Sequence, residues 1–153
     1  MELWVSVNKN GKSYERMISP KIKSVTSNVN HTIFSRAVLS LNALRNAELE
    51  VLSGKRSGRI YKKPNVKKRY QTSAAGEPPA SRTGALRLHW SGTVQQTAST
   101  SNGVRIIAEI ESNSPYAGYL DKGTSKMAPR PFSKRIRDKA EPEVRQIFGT
   151  PYL

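Results

Sequence analysis

The 153-residue sequence has no cysteine and only two histidines. Disulfide scaffolds, thiol nucleophiles and cysteine-ligated zinc are therefore excluded, and His31 and His89 lie too far apart in sequence to suggest a metal site. Acidic groups are scarce: 11 Asp and Glu stand against 26 Lys and Arg, a formal charge of +15. No apolar run approaches the roughly 18 residues of a membrane-spanning helix, and the opening MELWVSVNKNGK lacks the basic-then-apolar pattern of a secretory signal. A soluble chain made in the cytoplasm is expected. The hydrophobic fraction of 36% is below the roughly 45–50% of globular chains, even with glycine counted in. One domain spanning 1–153 is expected, with a thin core and part of its surface packed against something other than itself.

What is abundant is positive charge, and it is concentrated. Residues 1–52 and 92–153 each carry a net +3, whereas residues 53–91 hold ten cations and one acid. Lys55, Arg56, Arg59, Lys62, Lys63, Lys67, Lys68 and Arg69 fall within fifteen residues, interleaved with Ile60, Tyr61, Val66 and Tyr70. Such density resists burial, so the segment is expected to await a polyanion or an acidic protein surface, or to serve as a solubilising loop. Phosphate pairing through these cations would be salt-dependent and blind to sequence.

The element pattern is α+β. LWVSV, residues 3–7, alternates like a strand, and Asn10-Gly11 signals a hairpin returning through Ser13 to Met17. Ser19-Pro20 predicts a helix start. From there Ile22, Val25, Val29, Ile33, Ala37, Leu41, Leu44, Ala47 and Val51 step by three and four, an amphipathic stripe on a helix over 20–52 about 50 Å long. That exceeds what a domain of this size covers alone. Residues 53–83 then read as a basic extended loop, with Ile60-Tyr61 and 66–72 as the arms of a hairpin turning near Pro64-Asn65. Thr83 is placed to cap a short helix bearing Leu86, Leu88 and Trp90. Strands over 93–100 and 104–112, joined by Ser101-Asn102-Gly103, form the clearest hairpin. Val104, Ile106, Ala108 and Ile110 occupy its buried face. Pro115 opens a helical turn with Tyr116, Tyr119 and Leu120. A last helix carries Phe132, Ile136, Ala140, Val144 and Ile147 on one face, and its interior Pro142 predicts a kink or a division. The fold expected is a small, mainly antiparallel sheet against a long N-terminal helix and a C-terminal helix, with a basic extended loop or hairpin.

Catalytic constellations are missing. No Ser/His/Asp set has triad spacing, Gly54-Lys55 lacks a preceding glycine-rich loop, and Gly123-Thr124 follows no strand. No enzyme, cofactor or metal is expected. Two classes remain. A small basic nucleic-acid-binding protein of the ribosomal type fits the composition, but no RNA-recognition or helix-turn-helix signature accompanies it. A structural assembly protein fits the thin core and the overlong helix.

Two segments bear on this choice. SAAGEPPASRTGALRLHW (73–90) and SPYAGYLDKGTSKMAPRPF (114–132) resemble the paired signatures of the tail-completion, or head–tail joining, family of long-tailed bacteriophages, the gene-10-like family of HK-series lambdoid phages. The segments occur in the family's order, with a hairpin between them and a long amphipathic helix before them. Asp121 stands where the family more often has glutamate, which conserves charge. The resemblance implies a non-catalytic virion protein that forms a ring, by similarity a hexamer, between the neck and the tail tube. Its implied partners are other copies of itself, a neck or head-completion protein, a tail terminator or tail tube protein, and DNA in the channel. It further implies that Gly76, Pro78, Pro79 and Gly84 fix the path by which the basic arm leaves and rejoins the domain, with Thr83 and Leu86 as motif or interface residues beside them. Tyr116, Tyr119, Gly123, Thr124, Arg130, Pro131 and Phe132 would shape the second loop, either as interface residues or as plain fold determinants.

Overall fold

The computed structural model describes residues 15–62, 67–100 and 103–152. The expected strand at 3–7, the Asn10-Gly11 turn, Lys63, Val66, the Pro64-Asn65 tip and the Ser101-Asn102 corner lie outside the described residues. Helix α1 runs Glu15–Ser53, 39 residues and about 58 Å. It begins before the expected Ser19-Pro20 start, and Glu15 to Met17, read from sequence as the end of a returning strand, form its first turn. Pro20 is accommodated because it removes a single bond, to the Arg16 carbonyl, close to an end where several N–H groups lack helical partners anyway.

The apolar stripe of α1 is covered only toward its C-terminal end. Ile22 and Val25 are exposed, Val29, Ile33, Leu41, Leu44 and Val51 are half-buried, and Ala37 and Ala47 are buried. Every residue from 21 to 28 faces solvent. Polar groups in this free portion satisfy themselves: the hydroxyls of Thr26, Thr32 and Ser35 donate to the carbonyls of Ile22, Asn28 and His31, four residues back.

The strands β1 (Ile60–Lys62) and β2 (Arg69–Gln71) pair antiparallel as the basic hairpin. After the short helix α2 (Ala85–Leu88), β3 (Trp90–Thr100) and β4 (Gly103–Ser112) form a second antiparallel pair. Among the described residues the strands thus form two separate two-stranded sheets. In β4, Ile106, Ala108 and Ile110 are half-buried, whereas Arg105, Glu109 and Glu111 are exposed, the alternation of a sheet with one covered face except at Ile107, which is also half-buried. Gly92 lets the sheet approach α1, since a Cβ there would stand 3.0 Å from Leu41 Cδ1.

Helices α3 (Ala117–Lys122) and α4 (Ser133–Gly149) complete the chain. The Asp121 carboxylate accepts the N–H groups of Phe132 and Ser133 and the Ser133 hydroxyl, at 2.8, 3.1 and 2.6 Å. It thereby occupies the donors that a helix start leaves open. Burial pushes its carboxyl up, but the bonds from Ser133 and Phe132 together hold it below the usual aspartate value. Of the kink or division expected at Pro142, the division does not occur, since α4 is one uninterrupted helix. Pro142 and Asp138, whose carbonyl loses its partner, are both exposed, which leaves the missing bond open to solvent.

The core joins α1, α3 and α4. Ala47, Leu52, Ala117, Phe132, Ile136 and Ala140 form it, with Leu44, Trp90, Ile110 and Val144 packed around them. Phe132 meets Trp90 edge to face, 6.1 Å between centroids. One carboxylate enters this region: Glu48 is fully buried, with one oxygen 2.7 Å from Arg45 Nη1 and the other without a partner among the described residues. Burial pushes its carboxyl up to about 7, against the attraction of Arg45 and then Arg87. Its folded value exceeds the unfolded one of about 4.3, so its contribution is complete below that value and is lost as pH rises through 7. Glu48→Gln should therefore match the wild type at pH 4 and exceed it at pH 8.5 by on the order of 2–3 kcal/mol, measured by urea unfolding at both pH values.

Candidate functional site

The basic segment leaves α1 through a turn that two charged side chains hold. Arg56 folds back onto the helix end, donating to the carbonyls of Val51, Gly54 and Lys55 at 2.7–3.0 Å and to that of Pro79 at 3.1 Å. Cations that satisfy the last carbonyls of a helix act as its C-terminal cap. Arg56 is half-buried in this role and is withdrawn from the set of free cations expected from sequence. The opposing device is Glu77, the one acid of residues 53–91. Its carboxylate accepts the N–H and hydroxyl of Ser57 at 3.0 and 2.6 Å and the N–H of Ala74 at 2.9 Å. These bonds, the Ser57 hydroxyl first, hold the Glu77 carboxyl down at about 2.

Just beyond this clamp the two arms of the hairpin meet. Gly58 N–H donates to the Thr72 carbonyl and Thr72 N–H to the Arg59 carbonyl, both at 2.9 Å. A Cβ on Gly58 would lie 2.5 Å from the Thr72 oxygen, so only glycine permits the approach. The ladder then pairs Ile60 with Gln71, Tyr61 with Tyr70 and Lys62 with Arg69. Tyr61 and Tyr70 share one face, their rings 6.1 Å apart, while Lys62 and Arg69 oppose each other on the other face. Lys55, Arg59, Lys62, Lys67, Lys68 and Arg69 are all exposed, and none makes an ion pair among the described residues.

The two motif segments come together at the base of this hairpin. Gly76 N–H donates to the Pro129 carbonyl at 3.1 Å, Arg130 hydrogen-bonds the buried Ser73 hydroxyl, and Arg135 reaches the Gly76 carbonyl at 2.9 Å. Pro78 and Pro79 are buried. A cavity of about 170 Å³ lies between the segments, lined by Pro79, Thr83, Gly84 and Leu86 from the first and by Tyr116 and Leu120 from the second. Thr83 does not occupy the expected cap position. Gly84 does, at φ 84°, and the Thr83 hydroxyl accepts the Ala85 N–H from one residue further out, at 3.3 Å.

In the second segment Gly123 has φ 78°, and a Cβ there would be 2.8 Å from the Met127 carbonyl oxygen. This tight turn pairs Thr124 with Met127 and sends Arg130 N–H to the Leu120 carbonyl at 2.9 Å. Pro131 is half-buried and Phe132 is buried in the core. Gly123, Arg130 and Phe132 thus make contacts within the chain and Pro131 is half-buried, whereas Tyr116, Tyr119 and Thr124 present themselves to solvent.

A second concavity lies between α1, β4 and α4. It is an open groove of about 810 Å³ lined by Ile33, Ala37, Leu44, Ile106, Val144 and Phe148 among others. Near Ile33, Arg36 donates to the carbonyls of Thr150 and Pro151 at 2.7 and 2.6 Å and lies 4.0 Å from the centre of the Tyr152 ring. Nothing in the sequence pattern singled out Arg36 or Glu48, and Glu77 carried a signal only as a solitary acid in a basic stretch. No three of His, Asp and Glu gather as a metal site among the described residues. Set against family models, curated proteins and solved structures, the chain matches none.

The anchoring of the hairpin is open to measurement. Glu77→Gln should raise amide exchange at Ser57, Gly58, Thr72 and Ala74 at least tenfold while leaving the α4 amides protected. In the wild type the protection of these four amides should be complete above about pH 5 and fall progressively as pH drops toward 2, because a depressed carboxyl contributes fully only above its unfolded pKa of about 4.3 and the contribution is lost as pH falls through the folded one. Amide exchange followed by mass spectrometry reads both.

Proposed function

We propose that the chain is a structural subunit that closes into a homo-oligomeric ring, a hexamer, at the head–tail junction or the top of the tail tube of a long-tailed bacteriophage, joining neck to tail in the virion. The observation that carries this reading is the free portion of α1. A helix extends roughly 30 Å from Glu15 to the first buried position at Arg36, and it exposes Ile22 and Val25 on the stripe that further along becomes the core face. Apolar surface arranged in register with a core face and left uncovered in one copy suits a heterologous contact with the next copy, and such contacts close into rings when the rotation permits.

The groove beside Ile33 supports the same reading, since a helix of about 10 Å diameter is the size of object that a trough between two helices and a strand accepts. The motif resemblance gives the ring its place. Its neighbours would be a neck or head-completion protein on one side and a tail terminator or tail tube protein on the other. A ring of six copies, each at +15, repels itself and requires negative charge on those neighbours or in its lumen. The reading involves no catalysis, cofactor or metal.

Mass photometry of the purified protein at 150 mM salt should show a discrete oligomer of six chains. The double substitution Ile22→Asp/Val25→Asp should convert it to monomer while preserving the helical circular dichroism. A wild type that stays monomeric up to 100 µM and is missing from purified particles on immunogold imaging would remove the proposal.

A further inference from the structure

The basic hairpin retains an arrangement that costs the fold stability. Lys62 and Arg69 are directly opposed on one face of an isolated two-stranded ribbon, and like charges in that relation destabilise a strand pair. Lys67 and Lys68 lead into the same strand and Arg59 precedes its partner, all exposed. The only acid of the segment is spent at the base, on Ser57 and Ala74, so it neutralises nothing along the ribbon. A two-stranded sheet standing alone is marginal in water, and here it is held by the Glu77 clamp, the Arg56 cap and the Gly58–Thr72 approach rather than by its own pairing. The molecule thus fixes the root of a strip whose outer part is charged and has no protein partner among the described residues.

We infer that the described arms of this hairpin, residues 55–62 and 67–71, are a docking element for the phosphate backbone of nucleic acid. Lys62 and Arg69 stand on one face, and strand alternation puts Arg59, two residues before Tyr61 and paired with Thr72 through its carbonyl, on the other, so the ribbon carries positive charge on both faces. A flat acidic protein surface engages one side only, whereas phosphate chains flanking a groove, or a strand wrapped about the ribbon, meet charge on both. Tyr61 is exposed and Tyr70 half-buried, their rings tilted by 31°, and Tyr61 offers a surface for sugar or base without reading sequence. Recognition of this kind is carried by counterion release, with a log K that falls by about 0.9 per phosphate contact as log salt rises on a duplex, and about 0.7 on a single strand. The inference does not depend on the ring, because one subunit holds the whole hairpin.

The test uses the full chain and two fluorescein-labelled probes, a 30-base-pair duplex of arbitrary sequence and a single strand of the same length, by fluorescence anisotropy between 50 and 300 mM NaCl. The wild type should bind with a sub-micromolar Kd at 50 mM, unchanged when the sequence is scrambled. The variant Lys62→Ser/Lys67→Ser/Lys68→Ser/Arg69→Ser should lose at least 30-fold in affinity at that salt, and its salt slope on the duplex should shrink by about 3. A control of equal net charge, Lys21→Ser/Lys23→Ser/Lys126→Ser/Lys134→Ser, should stay within 5-fold of the wild type with its slope within 1. Tighter binding of the duplex or of the single strand identifies which source of phosphate the hairpin meets. Equal losses in the two variants would overturn the inference, since net charge and not the hairpin would then be responsible. So would poly-glutamate competing as well as the oligonucleotide per unit charge, which would assign the hairpin to an acidic protein. Mass photometry on the same samples reports the oligomer separately, so a failed ring and a failed hairpin give different results.

Discussion

The fold rests on the C-terminal half of one helix. Both other layers, the β3–β4 sheet and α4, pack on α1, whose buried positions run from Arg36 to Leu52 among the residues of described exposure. The small buried residues Ala37, Ala43 and Ala47 let neighbouring elements come close, and Phe132 and Trp90 fill the space that remains. A core assembled on a single helical face stays small, since its area is limited by that face. The low apolar content is thus the expected composition for a chain whose second helical half contributes nothing to its own interior.

The scarcity of carboxylates has a structural counterpart. Three acids organise three joints in an otherwise basic molecule. Asp121 starts α4, Glu77 closes the root of the hairpin, and Glu48 sits beneath Arg45 and Arg87 where α1 meets α2. The first two stabilise by accepting N–H and hydroxyl donors that would otherwise remain open. Glu48 differs, because burial opposes its charge more strongly than two guanidiniums favour it. Glu77 and Asp121 thus fasten a turn and a helix start, while Glu50 and Glu141 pair with Lys139 and Arg145 at the surface.

Much of this was legible from periodicity. The long helix followed from the three-and-four stepping of Ile22 to Val51, the larger hairpin from alternation around Asn102-Gly103, and the basic ribbon from its paired apolar positions. What sequence left hidden were joints made by residues distant along the chain. Arg56 looked like one more cation of the arm, because nothing local shows that its guanidinium meets the Pro79 carbonyl. Pro142 looked like a breaker, because sequence does not reveal that the carbonyl it orphans faces water. Thr83 looked like a cap, but a left-handed glycine took that position. The extent to which α1 is bare could not be read from its stripe, since an apolar stripe looks the same whether its cover lies in the same chain or elsewhere.

The Arg36 clasp gives that bare portion a mechanical character. By binding the carbonyls of Thr150 and Pro151 and stacking near Tyr152, Arg36 acts as a fulcrum at the point where α1 leaves the body. Beyond it some twenty residues form a stiff lever of about 30 Å. A tilt of about 10° at the fulcrum would move the tip by about 5 Å, roughly half a helix diameter. Small adjustments in how the tail segment seats against Arg36 are therefore magnified at the far end, and the reach of each subunit toward its surroundings is set by a contact located at its own opposite terminus.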